Sequence, residues 1–441
     1  MREAGKFPFR PSTPAAWAAG VSVARHGLLN GCARGAAIQA AEGFPDRDRP
    51  RKGGRDSERL PVRIVGLGDC VNIGTPAQSA DGAANLTLAP QSAYSPLMMR
   101  KALNDPALER HLSTLAPDGV TWFSLGPSVG AIQMRGVLIH GSRAVCQARA
   151  NHGLGPLETL LLGKGLLCAG LMAALLKDPG SLMLRIDGAG PAEGMSAEGM
   201  RLPSGAVGAR GRLFKLPLPP EALAAASTIA LFGPGALTVT RIEGDSKPFV
   251  GSVALRTGNL NKDLAWYFYE SEQTRTAIDS GVHFSKEGVP YGAGALLLQS
   301  LPGADDSFVA SAENALASLP PLGLWFSEGG ARDGLISAIF GGQGAARIAT
   351  RTAEAGFAFD CPCSRQRFLD HIARLDRAIV ADILERGPWP LETRCHYCSS
   401  TYAFSKAELE AALAHRRGAN PAEKSAPASP PGAAGEGTGE P

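Results

Sequence analysis

Four cysteines in two close pairs, Cys361-Pro362-Cys363 and Cys395-His396-Tyr397-Cys398, are the residues of this 441-residue chain best suited to chemistry. The pairs are 31 residues apart. If the fold brings them together, Cys361, Cys363, Cys395 and Cys398 supply four thiolates, a donor set that holds one Zn2+ tetrahedrally at Zn–S distances of about 2.3 Å. The segment between them carries Phe368, Leu369, Ile372, Leu375, Ile379, Ile383 and Leu384 at helical spacing, so it can pack while the pairs converge. A region this small has little core. Structural zinc contributes roughly 10 to 16 kcal/mol of apparent binding energy in comparable peptides, so the metal would do much of the folding. The CxC pair departs from the two CxxC knuckles of a zinc ribbon, and its one-residue gap brings two sulfurs close enough for a strained, reducible disulfide. Peroxide or hypochlorite could then oxidise the thiolates pairwise and release the metal. A permanent zinc staple uses the same four residues and is the commoner fate of a four-cysteine site, so spacing alone favours it over the switch. His396 is a fifth donor that such a site does not need, and a surface position is expected for it.

The other four cysteines read differently. Cys146 and Cys168 lie in apolar, helix-like sequence and are expected to be buried, inert thiols, and Cys32 and Cys70 lie in the N-terminal arm. A tight quartet in a long chain points to metal or redox chemistry in a reducing compartment rather than to a secreted disulfide framework. Enzyme motifs fail on spacing. Gly163-Lys164-Gly165 lacks the spacing of a phosphate loop, and Gly188-Ala189-Gly190 is followed by Glu193 instead of the third glycine of a dinucleotide fingerprint. Both are read as turns. No histidine falls in a metalloprotease pattern, and no catalytic residue is assigned.

Net charge is +3, too small to indicate a nucleic-acid or membrane protein, but it is unevenly spread: residues 1–63 carry +6 and the rest −3. The first forty residues hold Arg2, Lys6, Arg10, Arg25 and Arg34 against Glu3, which suits an organelle transit peptide or a start codon placed too early. The longest apolar stretch, Gly165 to Leu176, is shorter than the roughly 20 residues that span a bilayer, so a soluble protein is expected. Helices are predicted from Pro156 to Lys177 and from Asn261 to Ser271, the latter capped by Asn261 and bearing the aromatic patch Trp266, Tyr267, Phe268 and Tyr269. Strands are predicted at Val137 to Ile139, Leu182 to Ile186, Ala236 to Ile242 and Phe249 to Leu255. Ser271-Glu272-Gln273 reads as a helix end. The whole is α+β. Residues 1–120 form a basic, largely disordered extension, and 121–304 a main domain of mixed sheets and helices. A loosely packed, metastable helical linker (305–358) follows, broken at Pro320-Pro321 and Gly341-Gly342; 359–414 form a small four-cysteine zinc domain, and 415–441 a disordered tail.

Phe359-Asp360-Cys361-Pro362-Cys363-Ser364-Arg365, Cys395-His396-Tyr397-Cys398, Tyr402-Ala403-Phe404 and Glu408-Leu409 resemble the CxC and CxxC blocks of the redox-regulated thirty-three-kilodalton heat-shock chaperones of bacteria and some organelles. Arg135-Gly136-Val137, Asp263-Leu264-Ala265, Ser271-Glu272-Gln273 and Leu298-Gln299-Ser300-Leu301-Pro302-Gly303-Ala304 resemble that family's main-domain motifs. The resemblance runs from about Trp122 to Ala412; Gly163-Lys164-Gly165 stands where Gly-Glu-Ala is usual, and Gly294-Ala295 where Gly-Gly is common. It implies a cytosolic holdase, not an enzyme, that binds unfolding client proteins and is inactive while reduced and zinc-bound. On oxidation it would form Cys361–Cys363 and Cys395–Cys398 disulfides, release zinc, unfold its C-terminal region and act as a homodimer, without membrane or specific nucleic-acid partners. Its compartment would be the cytoplasm, or an organelle if residues 1–40 are a transit peptide. Two rivals are a constitutive structural-zinc protein that binds nucleic acid and a thiol-disulfide oxidoreductase using Cys395 and Cys398; the first lacks a basic stripe between the pairs, and the second needs its CxxC after a strand in a βαβ unit.

Overall fold

The computed structural model describes residues 100–419 except 129, 220–221, 223–228 and 342–347. Cys32, Cys70 and the expected disorder of residues 1–99 and 420–441 lie outside the described residues. In chain order the elements are α1 (Pro106–Thr114), β1 (Gly119–Gly126), β2 (Met134–His140), α2 (Ser142–His152), α3 (Pro156–Ala173), β3 (Gly180–Gly188), β4 (Gly194–Arg201), β5 (Val207–Leu213), α4 (Ile229–Phe232), β6 (Gly235–Glu243), β7 (Phe249–Ala254) and α5 (Leu260–Ser271). They continue with β8 (Thr276–Phe284), β9 (Pro290–Ser300), α6 (Asp306–Ala317), α7 (Leu322–Ser327), α8 (Arg332–Phe340), β10 (Ile348–Phe359), α9 (Arg365–Ile372), α10 (Arg377–Arg386), β11 (Leu391–Arg394), β12 (Thr401–Phe404) and α11 (Lys406–Ala419). The α+β class expected from sequence is what the structure has.

Ten strands form one sheet in the order β7-β6-β3-β4-β5-β10-β1-β2-β9-β8. Every pairing is antiparallel except that of β10 with β5. Strand β10 joins two halves of the sheet: Ile348 to Gly356 pair with β1, and Phe357, Ala358 and Phe359 then pair with Val207, Gly208 and Ala209 of β5. The Asp360 N–H donates to the Ala209 carbonyl at 2.9 Å, so the ladder runs to the residue before Cys361.

Strands β1, β2 and β9 are apolar on both faces, which requires a cover on each side. Val120, Val137, Ile139, Ala295 and Leu297 join one core with α2 and α3. Phe123, Leu125, Met134, Leu138, Leu296 and Leu298 join another with Phe308, Leu322, Phe326, Leu335 and Phe340 of α6, α7 and α8. At about 1.5 to 3 kcal/mol per fully buried large apolar side chain, each cover is a substantial source of stability. Helix α3 is long and apolar enough, by length and composition, to cross a membrane, but 78% of it is buried inside the molecule, the pattern of an all-round apolar core helix.

Several expectations are corrected. Residues 305–340 are not loosely packed: the Pro and Gly breakers set turns between three short helices whose apolar faces close the second core. Residues 348–359 are a sheet strand, concealed in the sequence because Thr350, Arg351, Thr352 and Glu354 make its first half polar. The extension does not run to 120. Asp105 caps α1 by accepting from the Ala107 and Leu108 N–H groups, and Leu108, Leu112 and Leu115 pack with Cys146. Gly163-Lys164-Gly165 is not a turn but lies inside α3, where a Cβ on Gly165 would come within 2.9 Å of Met195; the glycines let the helix sit close to the sheet. Helix α5 is capped by Asn259, whose side chain accepts from the Asn261 and Lys262 N–H groups, while Asn261 itself bonds Asp279 across the helix–strand contact. Its Leu264, Tyr267 and Phe268 are core as expected, but Tyr269 is exposed. The segment between the cysteine pairs is two helices with Ile379 exposed, and α11 continues through 415 to Ala419.

Candidate metal centre

Each cysteine pair is positioned by its flanking elements. Cys361 and Cys363 leave the end of β10, and Ser364 then caps α9 by accepting from the Arg367 N–H at 3.2 Å. Cys395 and Cys398 occupy the connection between β11 and β12. That knuckle is closed by Cys395 N–H to the Ser400 carbonyl and Ser399 N–H to the Cys395 carbonyl, both 2.8 Å, with Ser399 at φ 57°.

All four sulfurs are buried and lie within 4.8 Å of one another, the only such grouping of potential metal donors among the described residues. Cys361 and Cys395 sulfurs are 3.8 Å apart, and those of Cys363 and Cys398 3.2 Å. A tetrahedron of thiolates at about 2.3 Å from a central ion has edges of about 3.8 Å. The donor set and spacing therefore fit a metal ion held by Cys361, Cys363, Cys395 and Cys398. His396 is half-buried and outside this group, and burial, with Arg212 and Arg394 nearby, disfavours its protonated form.

Around the sulfurs stands a ring of polar groups. Tyr402 Oη lies 3.3 Å from Cys363 Sγ, Ser400 Oγ 3.2 Å from Cys398 Sγ, and Arg210 Nη1 donates to Cys361 Sγ at 3.4 Å. Hydrogen bonding by the neighbouring thiols, that of Cys363 first, favours the thiolate of Cys361, and Arg210 adds to it. The same contact pushes Cys395 the other way, since four crowded sulfurs cannot all be charged without a cation. Burial instead pushes the isolated Cys146 up to about 12 and Cys168 up to about 11, so both stay neutral thiols as expected.

The centre is docked on the main sheet by residues that carried no signal in the sequence. Asn151 Nδ2 donates to the Cys398 carbonyl at 2.8 Å, and His152 Nε2 donates to the Tyr397 carbonyl at 3.0 Å. That bond puts the proton on Nε2, so Nδ1 accepts from Ser399 Oγ at 2.9 Å. Tyr397 Oη meets Ser196 Oγ at 3.2 Å. These partners are some 200 residues or more from the CxxC knuckle, and only the fold unites them.

Two other arrangements bear on enzymatic readings. Ser142 Oγ lies 2.9 Å from His140 Nε2, and Asp118 Oδ1 3.9 Å from the same nitrogen, while His140 Nδ1 has no partner and all three side chains are buried. A relay needs the carboxylate on the other ring nitrogen, so this cluster lacks that geometry. The CxxC sits in an antiparallel hairpin and not after a strand of a βαβ unit.

The family profile described as Hsp33 protein matches residues 129–405. A 33 kDa chaperonin of Shouchella clausii is 29% identical over 287 residues, covering 64% of this chain and 93% of the relative. One from Symbiobacterium thermophilum is 33% identical over 266 residues, covering 60% and 87%. The crystal structure of the 33 kDa chaperonin from Thermotoga maritima superposes with a TM-score of 0.56 at 26% identity, covering 67% of this chain and 98% of that one. With its profile match extending over more than half its length and its four-cysteine centre in place, the chain belongs to the Hsp33 family of chaperones.

Proposed function

We propose that this chain is a redox-regulated holdase whose switch is the four-cysteine centre. The observation that carries the reading is the grouping of four buried sulfurs within 4.8 Å at the point where β10 leaves the main sheet. A bound Zn2+ would offset half of the charge of the four thiolates and supply the folding energy of residues 359–414. Cys361, Cys363, Cys395 and Cys398 hold it in the reduced protein. When peroxide meets two of these thiolates, the sulfurs give two electrons to its O–O bond, one S–S bond forms, and two protons complete two waters. We assign the pairs as Cys361–Cys363 and Cys395–Cys398. Each disulfide removes two ligands, so the centre loses its metal and the region its folding energy.

Strand β10 is covalently continuous with Cys361, and the helices before it cover Phe123, Leu125, Met134 and Leu138. Loosening of the cysteine region removes the anchor at the end of that strand. Uncovering this second core would offer an apolar surface to unfolding clients, whose own exposed apolar segments are its natural partners. We further propose a reducing compartment, the cytoplasm, for the resting state, a homodimer for the oxidised state, and no catalysed reaction, membrane or specific nucleic-acid partner.

The test is to count bound zinc and free thiols before and after peroxide while recording suppression of aggregation of an unfolding client. Loss of about one zinc and four thiols together with a gain in suppression is expected. Zinc retention with unchanged activity would make the centre a permanent staple.

A further inference from the structure

Arg210 stands out among the groups around the sulfurs because it is the one cation reaching them among the described contacts, and it is held from three sides. Its Nε donates to Glu198 Oε2 at 2.7 Å and its Nη2 lies 2.5 Å from the same oxygen, with both side chains largely buried. The guanidinium carbon lies 4.6 Å from the ring centroid of Tyr397, inside the CxxC knuckle. Glu198 is on β4 and Arg210 on β5, two neighbouring strands of the main sheet that pair at this very register. The main domain thus presents a guanidinium, ion-paired with Glu198 and held in place by it, to one sulfur and one ring of the cysteine centre.

A charge-assisted hydrogen bond depends on the acceptor's charge. Thiolate sulfur, free or shared with a metal, is a strong acceptor for a guanidinium. Sulfur in a disulfide carries no charge, so the same geometry then leaves the guanidinium with Glu198 as its one charged partner and a neutral atom in place of the thiolate. We propose that Arg210 is the positioning residue through which the main domain senses the charge on the cysteine centre, clamping the reduced centre to strands β4 and β5 and releasing it when Cys361 enters a disulfide. The inference rests on the proposed redox function and adds to it the route by which sulfur chemistry reaches the sheet. In the releasing step the thiolates of Cys361 and Cys363 give two electrons to peroxide, the O–O bond breaks, the S–S bond forms, and two protons taken up from solvent complete two waters. Arg210 itself changes neither bonds nor protonation; it keeps Glu198 and loses Cys361.

The experiment uses the full chain, reduced and loaded with zinc or with cobalt(II). Arg210→Met is combined with Glu198→Gln so that no carboxylate is stranded, and Arg210→Lys keeps the charge on a head group that cannot serve Glu198, Cys361 and Tyr397 together. Asn151→Ala removes a docking bond to backbone, not to sulfur. Zinc transfer to a chromophoric chelator, the cobalt–thiolate charge-transfer band and hydrogen exchange over 194–213 are read. For the double variant, affinity for the metal should fall about 10- to 100-fold, as for other groups that orient metal ligands. Its charge-transfer band should move to lower energy, and 194–213 should exchange as in peroxide-treated wild type while zinc is still bound. Asn151→Ala should change exchange near 149–154 and leave the cobalt band in place. If the double variant does not fold, Arg210→Lys decides: a several-fold faster zinc transfer with a shifted band supports the inference, and wild-type behaviour in both overturns it. An unshifted band, or equal zinc loss in Asn151→Ala and the double variant, also overturns it. A wild-type chain that binds no zinc fails the proposed function itself, whereas zinc held alike by wild type and the Arg210 variants fails this inference alone.

Discussion

Cys168 in helix α3 and Cys361 at the end of β10 are both fully buried, and they are opposite kinds of thiol. Cys168 lies in the main core with Ser280 Oγ and Asn261 Oδ1 3.7 and 3.8 Å from its sulfur, and burial, the largest influence on it, disfavours the charged form. Cys361 has three sulfurs and a guanidinium around it, and these reverse the effect of burial. The same contrast separates the regions that house them. The main sheet is closed on both faces by apolar helices, while residues 359–414 bury only a few large side chains of their own, among them Ile372, Val380, Ile383, Leu391, Phe404 and Leu409, and most of these join the sulfurs at the margin of the main core. One region stands on side-chain packing. The other leans on whatever holds four sulfurs together.

The strongest way to break that contrast is to take the metal ligands away. Cys398→Ser should abolish stoichiometric zinc and erase hydrogen-exchange protection across 359–414 while the ten-stranded sheet keeps most of its own. Persistent protection of 359–414 would show that its small core suffices. Next in size, Phe340→Ala empties a site in the second core and should destabilise the main domain by about 3 to 5 kcal/mol in urea unfolding, with zinc content unchanged. Native alkylation sharpens the cysteine comparison directly. At pH 8 a thiol with a pKa near 11 is ionised to about one part in a thousand, so Cys168 and Cys146 should stay unmodified over hours in which the metal-stripped quartet reacts, as read by mass spectrometry.

The smallest effect concerns pH in the main domain. Burial raises Asp118 to about 7 and, with the charges of Arg332 and Arg143, lowers His140 to about 3. For Asp118 the folded pKa lies above the unfolded one, so its contribution is present below about pH 4 and is lost as pH rises through 7. For His140 the folded pKa lies below, so its contribution is present above about pH 6.5 and is lost as pH falls toward 3. The two oppose each other between pH 4 and 6.5. Relative to wild type, His140→Gln should therefore gain stability on acidification and Asp118→Asn should lose it, measured as the urea midpoint across that range. Parallel pH profiles in all three proteins would show that neither group titrates as its burial implies.

How much of this could be read in the chain follows from the range of the forces involved. The apolar run of α3, the strands around Leu184 and Val239 and the two cysteine pairs are local patterns, and all appear where periodicity and spacing put them. The polar opening of β10 hid a central strand, because its partners β1 and β5 are some 150 to 230 residues away in sequence. The breakers at Pro320-Pro321 suggested looseness because no local pattern shows that Phe326 and Phe340 have a second sheet face to cover. Likewise Asn261 has the residue type of a cap, but the backbone turns one residue earlier than its helix, at Asn259.

The sequence by itself determined the donor atoms of this protein: four thiolates in two short pairs, since chain connectivity alone keeps each pair together. Tertiary structure decided what surrounds them. Arg210, held by Glu198, and Asn151 and His152 reach the sulfurs and their knuckle only because β4, β5 and the end of α2 pack against the close of β10. The charge state of a sulfur depends on the field within a few ångströms of it, and that field is assembled by the fold, not by neighbours in the chain.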